Sequence, residues 1–382
     1  MRAFADGLIS VLLPVHLLSL GYNPFEVGIV ATATLLGSAA LTLSIGLYAG
    51  RLPQRIVALS GCVLMIATGA AFSASESFWL IVVIAAVGTL NPSVGDVSLF
   101  LPMEQSRLPD LVPPERRTHV FAYYSLAGTL AGALGTLAAP LPQALGIGLK
   151  FTFLVYVAVG LLLAAIYLVA PLRGPLPTPE RGRPALSKES RRPILILTSL
   201  FCIDAFGGGF VLQSLLALWL FERFGLSVGE TSRTLFAMNL LAAFSQLAAP
   251  WVARRLGLIN TMVFTHLPSN IMMLLAPFAP TVEIALALLF AKSALSSMDV
   301  APRTSLIVSL VPPEERAAAT SVAAVPRALA AAGAPAVAGA LLAASTFGWS
   351  VVAGAGLKIT YDVLLLVVGR RLARERGLTD FR

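Results

Sequence analysis

The sequence predicts an all-α membrane protein, with twelve transmembrane helices in two pseudo-symmetric six-helix bundles. Hydrophobic residues make up 57% of the 382 residues and charged residues only 12%, which leaves too few charges to cover a soluble globular surface. Apolar runs of about 18 or more residues recur along the chain, and each is long enough to cross a bilayer core of about 30 Å as a helix. The runs are continuous, whereas the strands of an outer-membrane barrel alternate apolar and polar residues.

An internal repeat divides the chain into two halves. The segment Leu-Val-Pro-Pro-Glu-Arg-Arg at 111–117 returns as Leu-Val-Pro-Pro-Glu-Glu-Arg at 310–316. Other positions that repeat with a similar offset are Asp6 and Asp204, Gly21 and Gly225, and Glu26 and Glu230. Duplication of one membrane half is a known way to build an alternating-access transporter, with the substrate site between the halves.

The repeat and the apolar runs together predict the domain organisation. The first six-helix bundle is predicted over 1–171, a basic cytoplasmic linker rich in proline over 172–192, and the second bundle over 193–382. The predicted spans are 3–20, 24–48, 54–74, 77–110, 118–140, 149–171, 193–221, 228–251, 257–278, 281–310, 316–343 and 350–370.

The basic residues predict the orientation. With both termini in the cytoplasm, twenty of the 27 lysines and arginines fall in cytoplasmic segments and three fall outside, which is the positive-inside pattern. The membrane orientation thus accounts for the net charge of +8. The sequence has no basic patch with interleaved aromatic residues, so nucleic-acid binding is disfavoured. Lysine is scarce relative to arginine, and alanine is abundant, which favours a GC-rich bacterial genome. We therefore expect a multi-pass protein of the bacterial inner membrane.

On these residues the chain resembles the major facilitator superfamily over essentially its full length. The resemblance rests on the twelve spans, the basic central linker, the Val-Pro-Pro-Glu endings of helices four and ten, and an opening pattern of Asp6, Gly7, Pro14, Gly21 and Gly28. It implies two six-helix bundles that rock about a central cavity. A loose glycine pattern in helix five (Gly128, Gly132 and Gly135) predicts close helix contact, and it mildly favours export because the family's antiporters carry a glycine-proline signature there.

The family's best-known motif, Gly-x-x-x-Asp-Arg-x-Gly-Arg-Arg after helix two, is altered in this chain at 46–55. Gly50 stands at the place of its aspartate, and Arg254 stands there in the second half. The resemblance implies a cytoplasmic gate in these loops. The predicted gate or loop residues are Arg51, Arg55, Arg254 and Arg255.

Ionisable side chains within the spans are the candidate substrate or coupling residues, because each is costly in a bilayer without a cavity or a partner. Glu104 and Arg303 lie eight residues before the valine of their Val-Pro-Pro-Glu segments. They are predicted either to form a functional pair across the cavity or to form an ion pair that only steadies the halves. In a further alternative, Arg303 pairs with Asp299 four residues earlier on the same helical face, which leaves Glu104 free to take up a proton.

Other polar residues complete the candidate site. Asp204 is predicted to act in coupling or substrate binding, beside the glycines at 207–209. The remaining candidates are Asp6, Asp96, Gln213, Asn239 and Arg327. Lys358 and Asp362, four residues apart, are predicted to pair with each other. His16 and His266, each a lone histidine, are interpreted as hydrogen-bonded packing residues, with a proton relay as the alternative.

The sequence thus predicts a secondary transporter that moves a small organic solute, with protons as the coupling ion. Few polar residues line the spans, which favours export of a lipophilic or amphipathic compound; nutrient or metabolite uptake is the alternative. An intramembrane enzyme or a sensor is disfavoured, since no catalytic or phosphate-binding motif occurs. No cofactor and no metal are expected, and we expect a monomer in the lipid bilayer.

Overall fold

A computed structural model describes residues 1–48, 53–92, 100, 104, 113, 117–170 and 186–375 of the chain, and its regular elements in those ranges are helices. In chain order they are α1 (Arg2–Ser19), α2 (Pro24–Tyr48), α3 (Gln54–Ala74), α4 (Phe78–Val87), α5 (Arg117–Leu137), α6 (Leu141–Ala144), α7 (Leu149–Thr152), α8 (Leu154–Val169), α9 (Lys188–Phe210), α10 (Gln213–Phe224), α11 (Val228–Leu256), α12 (Leu258–Leu275), α13 (Val282–Leu295), α14 (Val300–Ser309), α15 (Arg316–Ala344) and α16 (Trp349–Glu375). Short 3₁₀ turns cover Ala276–Phe278 and Pro313–Glu315.

Helix length and composition confirm a multi-pass membrane protein. In the described ranges, eleven helices are long and apolar enough to cross a bilayer, and Phe78–Val87 is a shorter apolar helix. The predicted span 54–74 coincides with Gln54–Ala74. The later part of the predicted fourth span, which includes Asp96, lies outside the described residues apart from 100 and 104.

Two predicted spans are interrupted. The seventh, 193–221, begins earlier, at Lys188, and breaks after Phe210, where Val211 (φ −118°, ψ 31°) and Leu212 (φ −50°, ψ 143°) leave the helical region. The tenth, 281–310, breaks at the turn between α13 and α14. In the seventh span, the break follows three consecutive glycines, residues that favour helix ends and kinks.

The two halves repeat the same local structure before their second helices. Gly21 (φ 87°) and Gly225 (φ 63°) both adopt the left-handed conformation that suits glycine. Asn23 and Glu26 exchange backbone-to-side-chain hydrogen bonds, with Asn23 N 2.8 Å from the Glu26 carboxylate and Glu26 N 3.1 Å from Asn23 Oδ1. Ser227 and Glu230 form the equivalent box at 2.8 Å and 3.2 Å. This reciprocal capping satisfies the free amides at a helix start, and it explains the repeated glycine and glutamate.

The chain forms two compact units. Unit 1 comprises Met1–Pro179 and Leu212–Phe236, and unit 2 comprises Glu180–Val211 and Ala237–Arg382. The segment Leu212–Phe236, predicted within the second bundle, thus groups with unit 1. The boundary between unit 2 and unit 1 at Val211 and Leu212 coincides with the interruption between α9 and α10.

In unit 1, α1 and α5 pack with almost no space between their backbones. A Cβ atom added to Gly7 would lie 2.0 Å from the Gly132 carbonyl oxygen, and one added to Gly135 would lie 1.9 Å from the Phe4 carbonyl oxygen. Only glycine fits at this distance. The predicted close contact of helix five is therefore present at Gly132 and Gly135, but not at Gly128, where an added Cβ atom would meet nothing within 4 Å.

Unit 2 has an apolar core that fixes the helices around its buried charges. The core contains Ile194 and Phe201 from α9, Met262 from α12, Leu306 from α14 and Tyr361 from α16, each at most 2% exposed. Because these side chains are locked by packing, the polar residues one turn away on the same helices are held at defined positions.

Candidate functional site

Asp204 on α9 is the centre of a buried group of charges in unit 2. Its Oδ1 accepts a hydrogen bond from Lys358 Nζ at 2.6 Å, and its Oδ2 accepts one from Arg303 Nη2 at 2.9 Å. Asp204 is 4% exposed and Arg303 8% exposed. Charges so far from water persist only when they are paired, and Asp204 has two cationic partners.

The glycines after Asp204 explain how Lys358 reaches it. A Cβ atom at Gly207 would lie 2.9 Å from the Gly354 carbonyl oxygen and 3.0 Å from Lys358 Cγ. A side chain at 207 would therefore push α16 away from α9 and withdraw the ammonium group from the carboxylate.

Asp299 supplies the second carboxylate for Arg303. It precedes the first residue of α14, and its Oδ2 contacts Arg303 Nη2. The predicted pair between these residues on one helical face is thus present, but Arg303 also binds Asp204. The guanidinium lies over the Phe201 ring at 5.4 Å, and its Nε has no hydrogen-bond partner in the described part of the chain.

A second polar group adjoins the first. His266 on α12 places Nδ1 2.8 Å from Asp362 Oδ1 on α16, and Asn270 Nδ2 lies 2.8 Å from Asp362 Oδ2. The other ring nitrogen of His266, Nε2, lies 3.8 Å from Asp204 Oδ1. The two groups therefore form one network of side chains that crosses four helices of unit 2.

This network corrects one prediction and supplies the partners of a second candidate. Lys358 and Asp362 do not pair with each other: Lys358 binds Asp204 and Asp362 binds His266. Spacing of four residues allows a pair on one helix, but partners on neighbouring helices lie closer. His266 is buried and hydrogen-bonded, as interpreted from the sequence, but its carboxylate partners lie 62 and 96 residues away in the chain, beyond the reach of any local pattern.

In unit 1, the candidate acids have hydroxyl partners. Asp6 on α1 is 6% exposed and accepts a hydrogen bond from the hydroxyl of Tyr156. Glu104 accepts hydrogen bonds from the hydroxyls of Tyr124 and Tyr167, the latter at 2.7 Å. Arg2 Nη2 lies 3.8 Å from the Glu104 carboxylate. Glu104 therefore has its own partners in unit 1, as Arg303 has in unit 2, and the predicted Glu104–Arg303 pair stays a prediction.

Gln213 is the polar candidate at the start of α10. Its Nε2 donates to Ser10 Oγ at 2.8 Å and to Thr136 Oγ1 at 3.1 Å. Thr136 in turn donates to the carbonyl oxygens of Gly7 and Gly132. Gln213 thereby bonds to the two helices of the close glycine contact, α1 and α5, within unit 1.

The remaining candidates are dispersed. Asn239 and Arg327 are half-buried, in α11 and α15 respectively. Of the predicted gate residues, Arg55, Arg254 and Arg255 are exposed, and Arg255 lies over the Trp251 ring at 4.2 Å. Asp96 and Arg51 lie outside the described residues. No group of three or more metal-ligating side chains occurs in the described ranges.

Comparison with known proteins agrees with this architecture. A sequence model of the Major Facilitator Superfamily matches residues 1–297. An uncharacterized membrane protein of Saccharomyces cerevisiae, YJR124C, is 25% identical over 357 residues, which cover 82% of this chain and 80% of that protein.

Solved transporter structures share the fold. A bacterial homolog of the human lysosomal transporter Spinster, in an inward-facing and unoccupied conformation, has a TM-score of 0.70 at 15% identity, covering 97% of this chain and 93% of that one. The nucleoside transporter NupG has a TM-score of 0.73 at 12% identity over 96% and 97% of the two chains. The human organic anion transporter MFSD10 (TETRAN) has a TM-score of 0.63 at 18% identity over 95% and 97%. Such low identities establish the fold alone.

The many apolar helices define a multi-pass membrane protein. The chain belongs to the Major Facilitator Superfamily, whose sequence model covers more than half of its length, and it is therefore a transporter, not an enzyme. The resemblance and the fold class predicted from the sequence are confirmed.

Proposed function

We propose that this protein is a proton-coupled secondary transporter that exports a lipophilic or amphipathic organic compound by alternating access. The observation that carries the proposal is the buried network around Asp204, in which Arg303 forms ion pairs with Asp204 and Asp299, and Lys358 forms one with Asp204, each within 4 Å. Buried charges in membrane helices are expensive and mark substrate or proton pathways. In this proposal Asp204, Asp299 and Arg303 form the coupling centre.

The other candidates have supporting roles in the proposal. Asp6 and Glu104 accept hydrogen bonds from tyrosine hydroxyls, and Arg2 Nη2 lies 3.8 Å from the Glu104 carboxylate; both acids are proposed to contribute to coupling or substrate binding. Gln213, Asn239, Arg327 and Asp96 are proposed to contact the substrate or the ion. Arg51, Arg55, Arg254 and Arg255 are proposed to line the cytoplasmic gate.

The proposed substrate class follows from chemistry available to the chain. The Nε–H of Arg303, which has no hydrogen-bond partner among the described residues, is a donor that a polar group of the substrate can use. A composition with 57% hydrophobic residues favours an apolar body for the rest of the compound. We place the protein as a monomer in a bacterial inner membrane with both termini in the cytoplasm, as the distribution of basic residues favours.

Reconstitution tests the proposal. Proteoliposomes that contain a pH dye are exposed to a panel of lipophilic drugs, organic acids, amino acids and sugars, first with an acidic interior and then with an acidic exterior. An antiporter accumulates its compound when the interior is acidic, and a symporter does so when the exterior is acidic, whichever way the protein is inserted. We expect accumulation of a lipophilic or amphipathic compound with the acidic interior.

Two variants locate the coupling. Asp204→Asn should abolish gradient-driven accumulation, because it removes the charge that holds Lys358 and Arg303 together. Glu283→Gln is the matched control, since Glu283 is exposed at the start of α13, and it should behave as the wild type. Accumulation by Asp204→Asn at the wild-type rate, or no movement of protons with any compound, would refute the proposal.

A further inference from the structure

We infer that Nε2 of His266 is the binding site of the coupled proton; the inference rests on the proposed function, which it extends to a residue with no assigned role. His266 is 3% exposed. Its two ring nitrogens face two different carboxylates, Asp362 at 2.8 Å and Asp204 at 3.8 Å. A buried imidazole between two carboxylates is well suited to bind and release a proton.

The partners of Nδ1 determine which ring nitrogen of neutral His266 lacks a hydrogen. Asn270 Nδ2 lies 2.8 Å from Asp362 Oδ2 and 3.0 Å from His266 Nδ1. The carboxylate of Asp362 accepts only, so a hydrogen on Nδ1 donates to Asp362 while the amide of Asn270 donates to the other oxygen. In the neutral ring the second nitrogen, Nε2, then carries a lone pair.

The lone pair on Nε2 faces the Asp204 carboxylate, which is an unfavourable arrangement of two acceptors. A proton on Nε2 turns this repulsion into attraction, because an imidazolium N–H then points toward Asp204 while the other stays on Asp362. The proton comes from water on one side of the membrane and leaves to the other, and no other bond changes. His266 therefore has a reason to bind one proton that His16 lacks, since the ring nitrogens of His16 have no hydrogen-bond partner among the described residues.

Charges on every neighbouring helix bear on this site. The titratable groups that contact His266 are Asp204 from α9 and Tyr361 and Asp362 from α16. Arg303 from α14 and Lys358 from α16 contact Asp204, Asp299 before α14 contacts Arg303, and Lys292 from α13 lies near enough to Lys358 for their charges to interact. The three aspartates outnumber the cations that contact them, Arg303 and Lys358. Lys292 forms no ion pair within 4 Å in the described part of unit 2. A protonated His266 therefore balances the charges that are in contact.

Proton binding at this position also changes the contact between two helices. Asp204 Oδ1 is shared: Lys358 Nζ lies 2.6 Å from it and His266 Nε2 lies 3.8 Å from it. A protonated His266 competes with Lys358 for this oxygen, and so weakens the bond between α9 and α16. The proton is thereby coupled to the position of a helix whose triple glycine leaves its end deformable.

Nuclear magnetic resonance of the whole protein tests the inference without a known substrate. The chain contains three histidines, His16, His119 and His266, so histidine-labelled protein in detergent micelles gives few ring signals, and the loss of one in His266→Gln assigns it. We expect the His266 signal to change from the neutral to the protonated form as the pH is lowered over the range in which the protein stays folded, with Nδ1 carrying hydrogen throughout. At one fixed pH in that range, Asp204→Asn should lower the protonated fraction.

The matched control is His16→Gln, which should leave the His266 titration unchanged because His16 lies in unit 1. A His266 ring that keeps one form over the whole range, or a titration that Asp204→Asn leaves unchanged, would overturn the inference. The wild-type measurement stands even if His266→Gln fails to fold, because the signals can also be assigned from the other two histidine variants.

Transport measurements on the wild type and on His266→Gln distinguish a failure of this inference from a failure of the proposed function. If the wild type couples to the pH gradient and folded His266→Gln couples equally well, the inference fails and the proposed function stands. If His266 titrates as expected but the wild type moves no compound with protons, the proposed function fails and the proton site stands. Loss of coupling in His266→Gln, with the wild type active and His16→Gln unchanged, supports both.

Discussion

Gly135→Ala provides the sharpest test of the packing in unit 1. The added Cβ atom would lie 1.9 Å from the carbonyl oxygen of Phe4 and 2.7 Å from its carbonyl carbon. Both are backbone atoms of α1, so the contact cannot be relieved by a side-chain rotation. Either α1 or α5 must move, and the move also disturbs the neighbouring contact of Gly7.

The magnitude follows from two opposing effects. Overpacking of this kind costs about 1–3 kcal/mol, and an approach to backbone at this distance belongs at the upper end. Replacement of glycine by alanine in a helix stabilises the folded protein by about 1 kcal/mol through helix propensity. The net loss is about 2 kcal/mol, which corresponds to a midpoint about 4–8 °C lower for a unit of this size.

Gly128→Ala is the matched control. Gly128 lies in the same helix, α5, but a Cβ atom there would meet nothing within 4 Å. It receives the gain in helix propensity without the clash. We therefore expect its midpoint to equal or exceed that of the wild type.

Thermal unfolding can be followed with a thiol-reactive fluorescent dye, because the chain has two cysteines, one in each unit. Cys62 is fully buried in α3 of unit 1, and Cys202 lies in α9 of unit 2. In a Cys202→Ala background the dye reports the exposure of Cys62 alone, and hence the unfolding of unit 1. Equal midpoints for Gly135→Ala and Gly128→Ala would refute the close packing of α1 on α5.

Two further predictions concern the buried polar groups. Tyr156→Phe leaves the carboxylate of Asp6 without its hydrogen bond and should destabilise unit 1 by about 1–3 kcal/mol in the same dye assay, whereas Tyr123→Phe, at a residue 68% exposed, should change little. Asp204→Asn and Lys358→Gln should each lower the stability of the whole protein in detergent, and the double variant should lose less than the sum of the two, since it leaves neither charge unpaired. Strict additivity would show that the two side chains do not interact.

Helix positions were largely predictable because they depend on local patterns. The span predicted at 54–74 and the helix Gln54–Ala74 agree, since a long apolar run between polar residues leaves few other choices in a bilayer. The glycine and glutamate repeated in both halves were visible as a pattern, and their structural reason is the left-handed glycine and the capping box that follows it.

Partners of the buried charges were predictable only in part. The contact between Asp299 and Arg303 joins residues four apart, which the helical period makes visible. The bond between Lys358 and Asp204 joins residues 154 apart, and it corrected a pair predicted from spacing. The carboxylate partners of His266 were not predicted for the same reason, because they belong to two other helices.

The amino-acid sequence alone determined the membrane class, the superfamily, the duplication and most helix boundaries, because hydropathy, turn chemistry and short repeats act over a few residues. Only the tertiary structure decided which charges meet, where the seventh span breaks into α9 and α10, and which histidine faces two carboxylates. Those features depend on helices that approach each other across large sequence separations. Their approach is set by glycines at contacts such as Gly7 with Gly132, where one added carbon atom would keep the backbones apart.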